Sequence, residues 1–202
     1  MADSTLDITA TTPGFSDAVT AAQKMFRLAL EAMAHPGRIV ETPPDLLPTN
    51  QSGLSDAMAA LALTLLDFET PVWLDHALAQ ARGFLRFHCS APIVATPNSS
   101  RFAFAADLAA LPALDEFDLG TAEYPDRSTT LILEVADLAA GIGLNLRGPG
   151  IAETTGLLVR GPAPGFWRER QALAPHFPLG LDLFLTSGRR LAALPRTATV
   201  EA

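Results

Sequence analysis

Apolar residues recur at helical spacing in the first fifth of the chain. After Ser16, a residue type that caps helices, one face of a helix would carry Val19, Ala22, Phe26, Ala29, Leu30 and Met33. The opposite stripe would carry Asp17, Thr20, Lys24, Arg27 and Glu31. Pro36 and Gly37 end the pattern because proline cannot continue a helix. The spacing predicts an amphipathic helix that buries the first set and leaves Lys24 in solvent.

Short apolar runs separated by proline-rich and glycine-rich segments follow this helix. The run from about Ser55 to Asp67 is apolar on nearly every side and predicts a buried helix. Further helices are predicted for DHALAQARGFLRFH, as a helix or a helix with a turn, and for GFWRERQALAPHF. Strands are predicted for GRIVE, TPVWL, APIVA, SRFAFAA, TTLILEV and GLNLRGPGI. Between the segments SRFAFAA and TTLILEV, we expect only a short helix and a loop.

Strict alternation marks a segment near the C-terminus. Leu181, Leu183 and Leu185 alternate with Asp182, Phe184 and Thr186, and Ser187-Gly188 turns the chain into RRLAALPR. This pattern predicts an antiparallel hairpin whose leucines face the core. A hairpin among helices and other strands predicts an α/β or α+β sandwich, with a mixed sheet covered by helices.

The length and composition of the chain indicate its domain organisation and the kinds of partner that it can have. The 202 residues fit one domain, which we place at residues 15–202 after a flexible N-terminal arm over residues 1–14. Hydrophobic residues make up 49% of the chain and charged residues 18%, which favours an oligomer or a subunit covered by partners. The net charge of -8 and the absence of any basic run beyond Arg189-Arg190 argue against nucleic acid.

The sequence also predicts a cytoplasmic protein. Its apolar stretches are about half the roughly 20 residues that a membrane-spanning helix needs, so no membrane partner is expected. The N-terminal segment lacks the features of a secretory signal, and one cysteine, Cys89, cannot form an internal disulfide.

The segment RFHCSAP groups Arg86, His88 and Cys89 in an apolar setting. One interpretation makes Cys89 a nucleophile with His88 or another histidine as its base, in a stand-alone hydrolase or transferase. The other makes Cys89 a small buried residue and His88 a structural or interface residue. The histidines are scattered without metal-ligand spacing, so no metal is expected. Lys24, the only lysine, is a poor candidate for a Schiff base on an exposed stripe.

Asp182 and Arg196 are two oppositely charged residues of the terminal hairpin segment. They could form a structural ion pair, or they could line a cleft and meet an anionic ligand. The glycine-rich GIGLNLRGPG has neither the Gly-Lys-Ser/Thr end of a phosphate loop nor a GxGxxG leading into a helix, which favours turns. These residues form no complete catalytic set, so the sequence favours a subunit.

Five segments in this order give the chain a family resemblance. They are FRLALEAMAHPGRIV from Phe26, LTLLDFETPVWL from Leu63, LRFHCSAPIV from Leu85, LNLRGPGIAE from Leu144 and FPLGLDLFLTSGRRLAALPRT from Phe177. Together they resemble the H subunits of the bacterial carbon-phosphorus lyase system, which degrades phosphonates. The resemblance covers almost the whole chain.

The resemblance implies a three-layer α/β/α sandwich, similar to pyridoxal-phosphate transferases but without the cofactor, assembled as a homodimer. It implies a core complex with subunits G, I and J, in which G, H and I act with the L protein on ATP and a phosphonate. Adenine is displaced and the phosphonate joins C1 of the ribose, giving α-D-ribose 1-methylphosphonate 5-triphosphate. The radical cleavage that follows uses an iron-sulfur cluster carried by J.

The resemblance supplies no established catalytic residue. Arg86, His88, Asp182 and Arg196 match its segments and are our candidates for contacts with a ligand or another subunit. No cofactor is expected in this subunit, since one cysteine cannot hold an iron-sulfur cluster.

Overall fold

The computed structural model describes residues 13–47, 50 and 52–201. Most of the arm predicted over residues 1–14 lies outside this range. The helices are α1 (Ala18–Ala34), α2 (Asp56–Leu65), α3 (Arg82–Cys89) and α4 (Pro164–Leu173). The strands are β1 (Val40–Glu41), β2 (Val72–Leu74), β3 (Phe102–Ala105), β4 (Thr130–Glu134), β5 (Asp137–Arg147), β6 (Thr155–Arg160), β7 (Asp182–Ser187), β8 (Arg190–Leu194) and β9 (Thr199–Glu201).

A mixed six-stranded sheet forms the centre of the described fold, in the order β1-β8-β7-β4-β3-β2. Strands β2, β3, β4 and β7 are parallel neighbours, whereas β8 is antiparallel to β7 and β1 is antiparallel to β8. Thr130 in β4 aligns with Phe102 on one side and Asp182 on the other. The predicted mixed α/β fold and the terminal hairpin are confirmed, and Gly188 takes the positive φ of 63° that the hairpin turn requires.

The central sheet is buried on both faces. Phe104, Ile132 and Phe184 pack with α1, α2 and α3 in one apolar cluster. Residues one position away along the same strands, such as Leu131 and Leu183, pack in a second cluster with α4 and a separate sheet ordered β6-β5-β9. Because side chains alternate across a strand, a sheet covered on both faces needs nearly continuous apolar runs such as LILE and LFLT.

Helix α1 forms where predicted, but of the six apolar residues expected on its buried face only Ala29 is buried, and Ala22 and Met33 are half-buried. The buried residues are Ala21, Met25, Ala29 and Ala32, while Val19, Phe26 and Leu30 are 69%, 48% and 53% exposed. Three of the four buried residues are alanines, which let α1 lie close to α2 and β8. The N-cap is Asp17, whose Oδ1 accepts from the Thr20 N–H, rather than Ser16. Lys24 is exposed, as predicted.

Other predicted elements differ in smaller ways. Ser55 caps α2, and residues 57–62 of that helix are buried, which confirms its prediction. The segment DHALAQARGFLRFH divides into a 3-10 turn, His76–Ala81, and α3. APIVA contributes only an isolated bridge between Ile93 and Val72, and β6 and β9 were not predicted. No helix in the described part of the chain is long and apolar enough to cross a membrane.

Candidate functional site

Asp182 and Arg196 meet at the amino end of β7. The Asp182 Oδ2 lies 2.5 Å from Nη2 of Arg196, and its Oδ1 accepts from Nε at 3.3 Å and from the backbone N–H of Arg196 at 2.7 Å. The two side chains are 23% and 14% exposed. The ion pair that the sequence offered as one of two interpretations is present. It is bidentate, the geometry in which guanidinium and carboxylate bind most strongly.

Arg196 also binds two loops that precede β4 and β7. Its Nη1 donates to the carbonyls of Pro125 at 2.6 Å and Pro178 at 3.3 Å, and Nη2 donates to Ser128 Oγ at 2.6 Å. Gly180, with a φ of 144°, lies beside the Arg196 side chain. The guanidinium therefore joins three chain segments at the amino edge of the parallel strands.

A second arginine, Arg170 of α4, is buried close to this pair. It is 6% exposed, with Nη1 donating to the Leu181 carbonyl at 3.0 Å and Nη2 donating to Leu194 and Pro195 at 3.1 and 2.7 Å. Burial lowers the pKa of Arg170 to about 10, nearby Asp182 opposes this shift, and Arg196 adds to it. Arg170 therefore remains a cation at neutral pH.

A cavity of about 240 Å³ opens beside these arginines. It is bounded by α4, by the loop that leads into β7 and by the segment from Arg196 to the end of β9. Its lining residues are Arg170, Gln171, Leu173, Ala174, Leu179, Gly180, Leu181, Arg196, Ala198, Thr199, Val200 and Glu201. Arg170 and Arg196 both line this small, partly apolar cavity, which suits an anionic group.

Arg170 was not among the sequence candidates. The signal was present, because in the predicted helix GFWRERQALAPHF Arg170 lies four residues after Phe166 and three before Leu173, which places an arginine on the apolar face. A charged residue at a core position of a helix is rarely buried without a role in binding or in satisfying backbone groups.

The carboxyl ends of the parallel strands, where open α/β sheets commonly bind ligands, are occupied by internal contacts. Buried Asp75 accepts from the backbone N–H groups of Leu78, Ala106 and Asp107. Glu134 accepts from Ser55, Thr186 and Gly188. These carboxylates hold loops together and are not available in this arrangement as a catalytic pair.

The structure separates the RFHC candidates from the Asp182–Arg196 pair. Arg86 is exposed on α3, and His88, on the same helix, packs against the rings of Phe84 and Phe87. Neither residue lines the arginine cavity or the apolar groove beneath α1 that Asp182 borders. The four candidates therefore do not form one site.

Cys89 is unsuited to nucleophilic chemistry. It is 7% exposed at the end of α3, and its thiol donates to the Ala62 carbonyl at 3.6 Å. Desolvation raises the pKa of the thiol to about 11, so the reactive thiolate is scarce at neutral pH. The buried, structural interpretation of Cys89 fits this environment, and the stand-alone enzyme loses its nucleophile.

A larger cleft of about 630 Å³ lies where the end of α1 meets the loop between β5 and β6. Its lining includes His35, Arg38, Gly150 and Thr154. A side chain at Gly150 would collide with the carbonyl of Ala34, so glycine allows this close approach. The glycine-rich segment thus forms a turn and a strand, and not a strand-to-helix phosphate loop. No group of three potential metal ligands occurs among residues 13–47, 50 and 52–201.

Comparison with known proteins gives matches along almost the whole chain. The model of the family described as bacterial phosphonate metabolism protein (PhnH) matches residues 13–201. The chain is 41% identical over 192 residues to the alpha-D-ribose 1-methylphosphonate 5-triphosphate synthase subunit PhnH of Rhizobium meliloti (strain 1021), covering 93% of this chain and 94% of that protein. It is 32% identical over 182 residues to the putative C-P lyase subunit protein HtxG of Stutzerimonas stutzeri, covering 88% and 85%.

Proposed function

The chain belongs to the PhnH family of bacterial phosphonate metabolism proteins, and from this premise we propose that it is a subunit of a carbon-phosphorus lyase complex that acts in phosphonate catabolism. Its reaction is the transfer of a phosphonate onto C1 of the ribose of ATP. A phosphonate oxygen forms the new bond to C1 as the bond from C1 to adenine breaks, and adenine leaves. The match along residues 13–201 is the observation that carries this proposal.

The described residues support a role shared with other subunits. The reaction brings a phosphonate and a triphosphate together, so it needs cations that hold and screen both anions. Arg170 and Arg196 offer positive charge at a cavity, whereas Cys89 is shielded and the carboxylates at the opposite sheet edge hold loops. This chain supplies binding surface, and the partner subunits G, I and J complete the complex.

We propose a homodimer that uses the outer face of α1. Val19, Phe26 and Leu30 form an apolar stripe along about three turns of this helix. The stripe continues into the apolar groove formed by Phe26, Leu30, Met33, Leu65, Phe102 and Phe184. A helix face of this kind can pack against its own copy across a two-fold axis, which buries the stripe in both subunits.

The same proposal includes a cytoplasmic location and a three-layer α/β/α sandwich similar to pyridoxal-phosphate transferases but without their cofactor. Lys24, the only lysine of the chain, is exposed on α1 and lines neither the arginine cavity nor the larger cleft. A covalently held pyridoxal phosphate would need a lysine beside its binding cavity.

Co-expression with the G, I, J and L proteins tests the function. We expect this chain to co-purify with G, I and J, and the mixture to release adenine from ATP only when a phosphonate such as methylphosphonate is present. Omitting this chain alone should abolish phosphonate-dependent adenine release. Equal release with and without this chain would contradict the proposal.

A further inference from the structure

The cavity beside α4 contains a buried positive charge that its surroundings do not neutralise. A guanidinium has five N–H groups, and three backbone carbonyls accept from Arg170, so two N–H groups are left. One of them, Nε, is buried and has no hydrogen-bond partner among the described residues. No carboxylate of the described chain forms an ion pair with Arg170 at 4.0 Å or less.

The nearby Asp182 carboxylate does not neutralise the positive charge of Arg170. Asp182 is held by Arg196, with both of its oxygens accepting from that residue. Among Arg170, Arg196 and Asp182, the charges sum to one net positive charge. A buried cation that is neither paired nor fully hydrogen-bonded is costly, and an anion in the adjacent cavity would relieve that cost.

The remaining wall of the cavity is compatible with a small anion. Leu173, Leu179 and Val200 make part of the wall apolar, which strengthens charge interactions within the cavity. Glu201 also lines the cavity and opposes an anion, although its carboxylate lies 3.9 Å from Nε of Arg147. The volume of about 240 Å³ fits a single tetrahedral group more readily than a whole nucleotide.

We propose that this cavity binds a tetrahedral phosphorus oxyanion, a phosphonate or one phosphate group of a larger molecule, beside Arg170. The oxyanion neutralises the buried charge and accepts charge-assisted hydrogen bonds from the arginine N–H groups that face the cavity. Only the choice of phosphorus over other oxyanions rests on the proposed function. The site lies at the amino end of β7, away from the larger cleft lined by Gly150.

The test leaves Arg170 in place, because its replacement would leave three buried or partly buried backbone carbonyls without their hydrogen-bond donor. Thr199 is exposed and lines the cavity, so Thr199→Glu adds a competing carboxylate at the site. Thr199→Gln is the matched control, since it loses the same hydroxyl without adding charge. Thr154→Glu adds the same charge in the other cleft and controls for net charge.

Calorimetric titration of the full chain with methylphosphonate, inorganic phosphate and ATP, at constant ionic strength, gives the readout. We expect at least one probe to bind the parent, Thr199→Gln and Thr154→Glu with similar Kd. Thr199→Glu should weaken that binding about tenfold or more, and Glu201→Gln should strengthen it. The relative affinities of the three probes identify the source of the oxyanion.

Two results would overturn the site: no binding of any probe at millimolar concentration, or equal binding by Thr199→Glu and Thr199→Gln. Either result would leave the proposed function intact if the chain still supports phosphonate-dependent adenine release with its partners. Conversely, charge-sensitive binding without adenine release would support the site and reject the function.

Discussion

Arg196 shows how one side chain can hold several chain segments together. It reaches Asp182 on β7, Ser128 and Pro125 before β4, and Pro178 in the preceding loop. Pro125 and Ser128 lie 71 and 68 residues before Arg196 in the sequence, next to the point where Thr130 of β4 pairs with Asp182 of β7. The ion pair that the sequence suggested is therefore one part of a larger anchor.

Replacing Arg196 with alanine should destabilise the fold. We expect Arg196→Ala to lower the free energy of unfolding by about 3 kcal/mol, because it leaves the partly buried Asp182 carboxylate without its partner. Urea denaturation of the purified protein measures this. Arg147→Ala, which removes an exposed arginine 3.9 Å from Glu201, should cost less than about 1 kcal/mol.

A contact of Arg196 with a ligand or another subunit predicts a different result for the same variant. If Arg196 mainly contacts a ligand or another subunit, Arg196→Ala will unfold at the same urea concentration as the parent but fail to support growth on a phosphonate. A variant that matches the parent in both measurements would reject both interpretations.

Cys89 should be protected from alkylation in the folded protein. Its thiol pKa is raised from 9.0 to about 11, which lowers the thiolate fraction near pH 8 about a hundredfold. We therefore expect iodoacetamide to label the native protein at least about a hundred times more slowly than the urea-unfolded chain. Rapid labelling of the native protein would contradict the buried environment of Cys89.

The same shift has a consequence for stability at high pH. The unfolded thiol loses its proton near pH 9, while the folded thiol keeps it until about pH 11. Stability from the neutral thiol is complete below pH 9 and falls as the pH rises from 9 to 11, because the unfolded state then binds fewer protons. Cys89→Ala should remove this part of the alkaline destabilisation in urea titrations at pH 8 and 10.5.

At the scale of elements, β7 belongs both to the antiparallel hairpin with β8 and to the parallel part of the sheet. It pairs with β4 on one side and β8 on the other, and Leu183, Phe184, Leu185 and Thr186 are all buried. Both faces of this strand therefore contribute to the core, with Phe184 on the side of the helices α1 to α3 and Leu183 on the side of α4.

Truncating Leu183 tests the importance of this strand. We expect Leu183→Ala to cost about 2–5 kcal/mol, because the lost contacts leave a cavity in a closely packed sheet. Thermal or urea unfolding gives the value. Ile142→Ala is the matched control: Ile142 is also in a strand but is 99% exposed, so its truncation should cost less than about 0.5 kcal/mol. Equal costs would show that β7 is not packed as described.

At the scale of the whole molecule, the exposed stripe on α1 explains where the excess of apolar residues is placed. The chain is 49% hydrophobic, and three of its large apolar side chains lie in line on one outer helix face. Isolated exposed apolar residues are common, but an aligned set that continues into an apolar groove is typical of an interface.

A charge placed in this stripe should separate the proposed dimer. We expect the parent to sediment as a dimer at micromolar concentration and Phe26→Asp to sediment as a folded monomer, since an interface buries an added carboxylate at high cost. Phe68→Asp is the control, because Phe68 is 69% exposed in the turn after α2. A monomeric parent would contradict the dimer, and a dimeric Phe26→Asp would place its interface elsewhere.

Local patterns were sufficient to predict α2, the terminal hairpin and the strand TTLILEV, because each has a strong periodicity and clear end signals. The short or irregular elements were harder to predict. β9 has three residues, and β5 contains a register shift between Ala140 and Leu144 that interrupts its alternation. Pairing with β5 stabilises β9, and β5 lies far from β9 in the sequence.

The amino-acid sequence alone determined the family resemblance and the mixed α/β class, and it offered the Asp182–Arg196 ion pair as one of two interpretations, because these depend on short motifs and local alternation. The tertiary structure decided which face of α1 is buried, that Arg86 and His88 lie apart from that pair, and that Arg170 is buried beside it. Those outcomes depend on which surfaces meet after folding. A helix with apolar residues on two sides can bury either side, and the side that packs closely against α2 and β8 carries Ala21, Met25, Ala29 and Ala32, three of which are alanines.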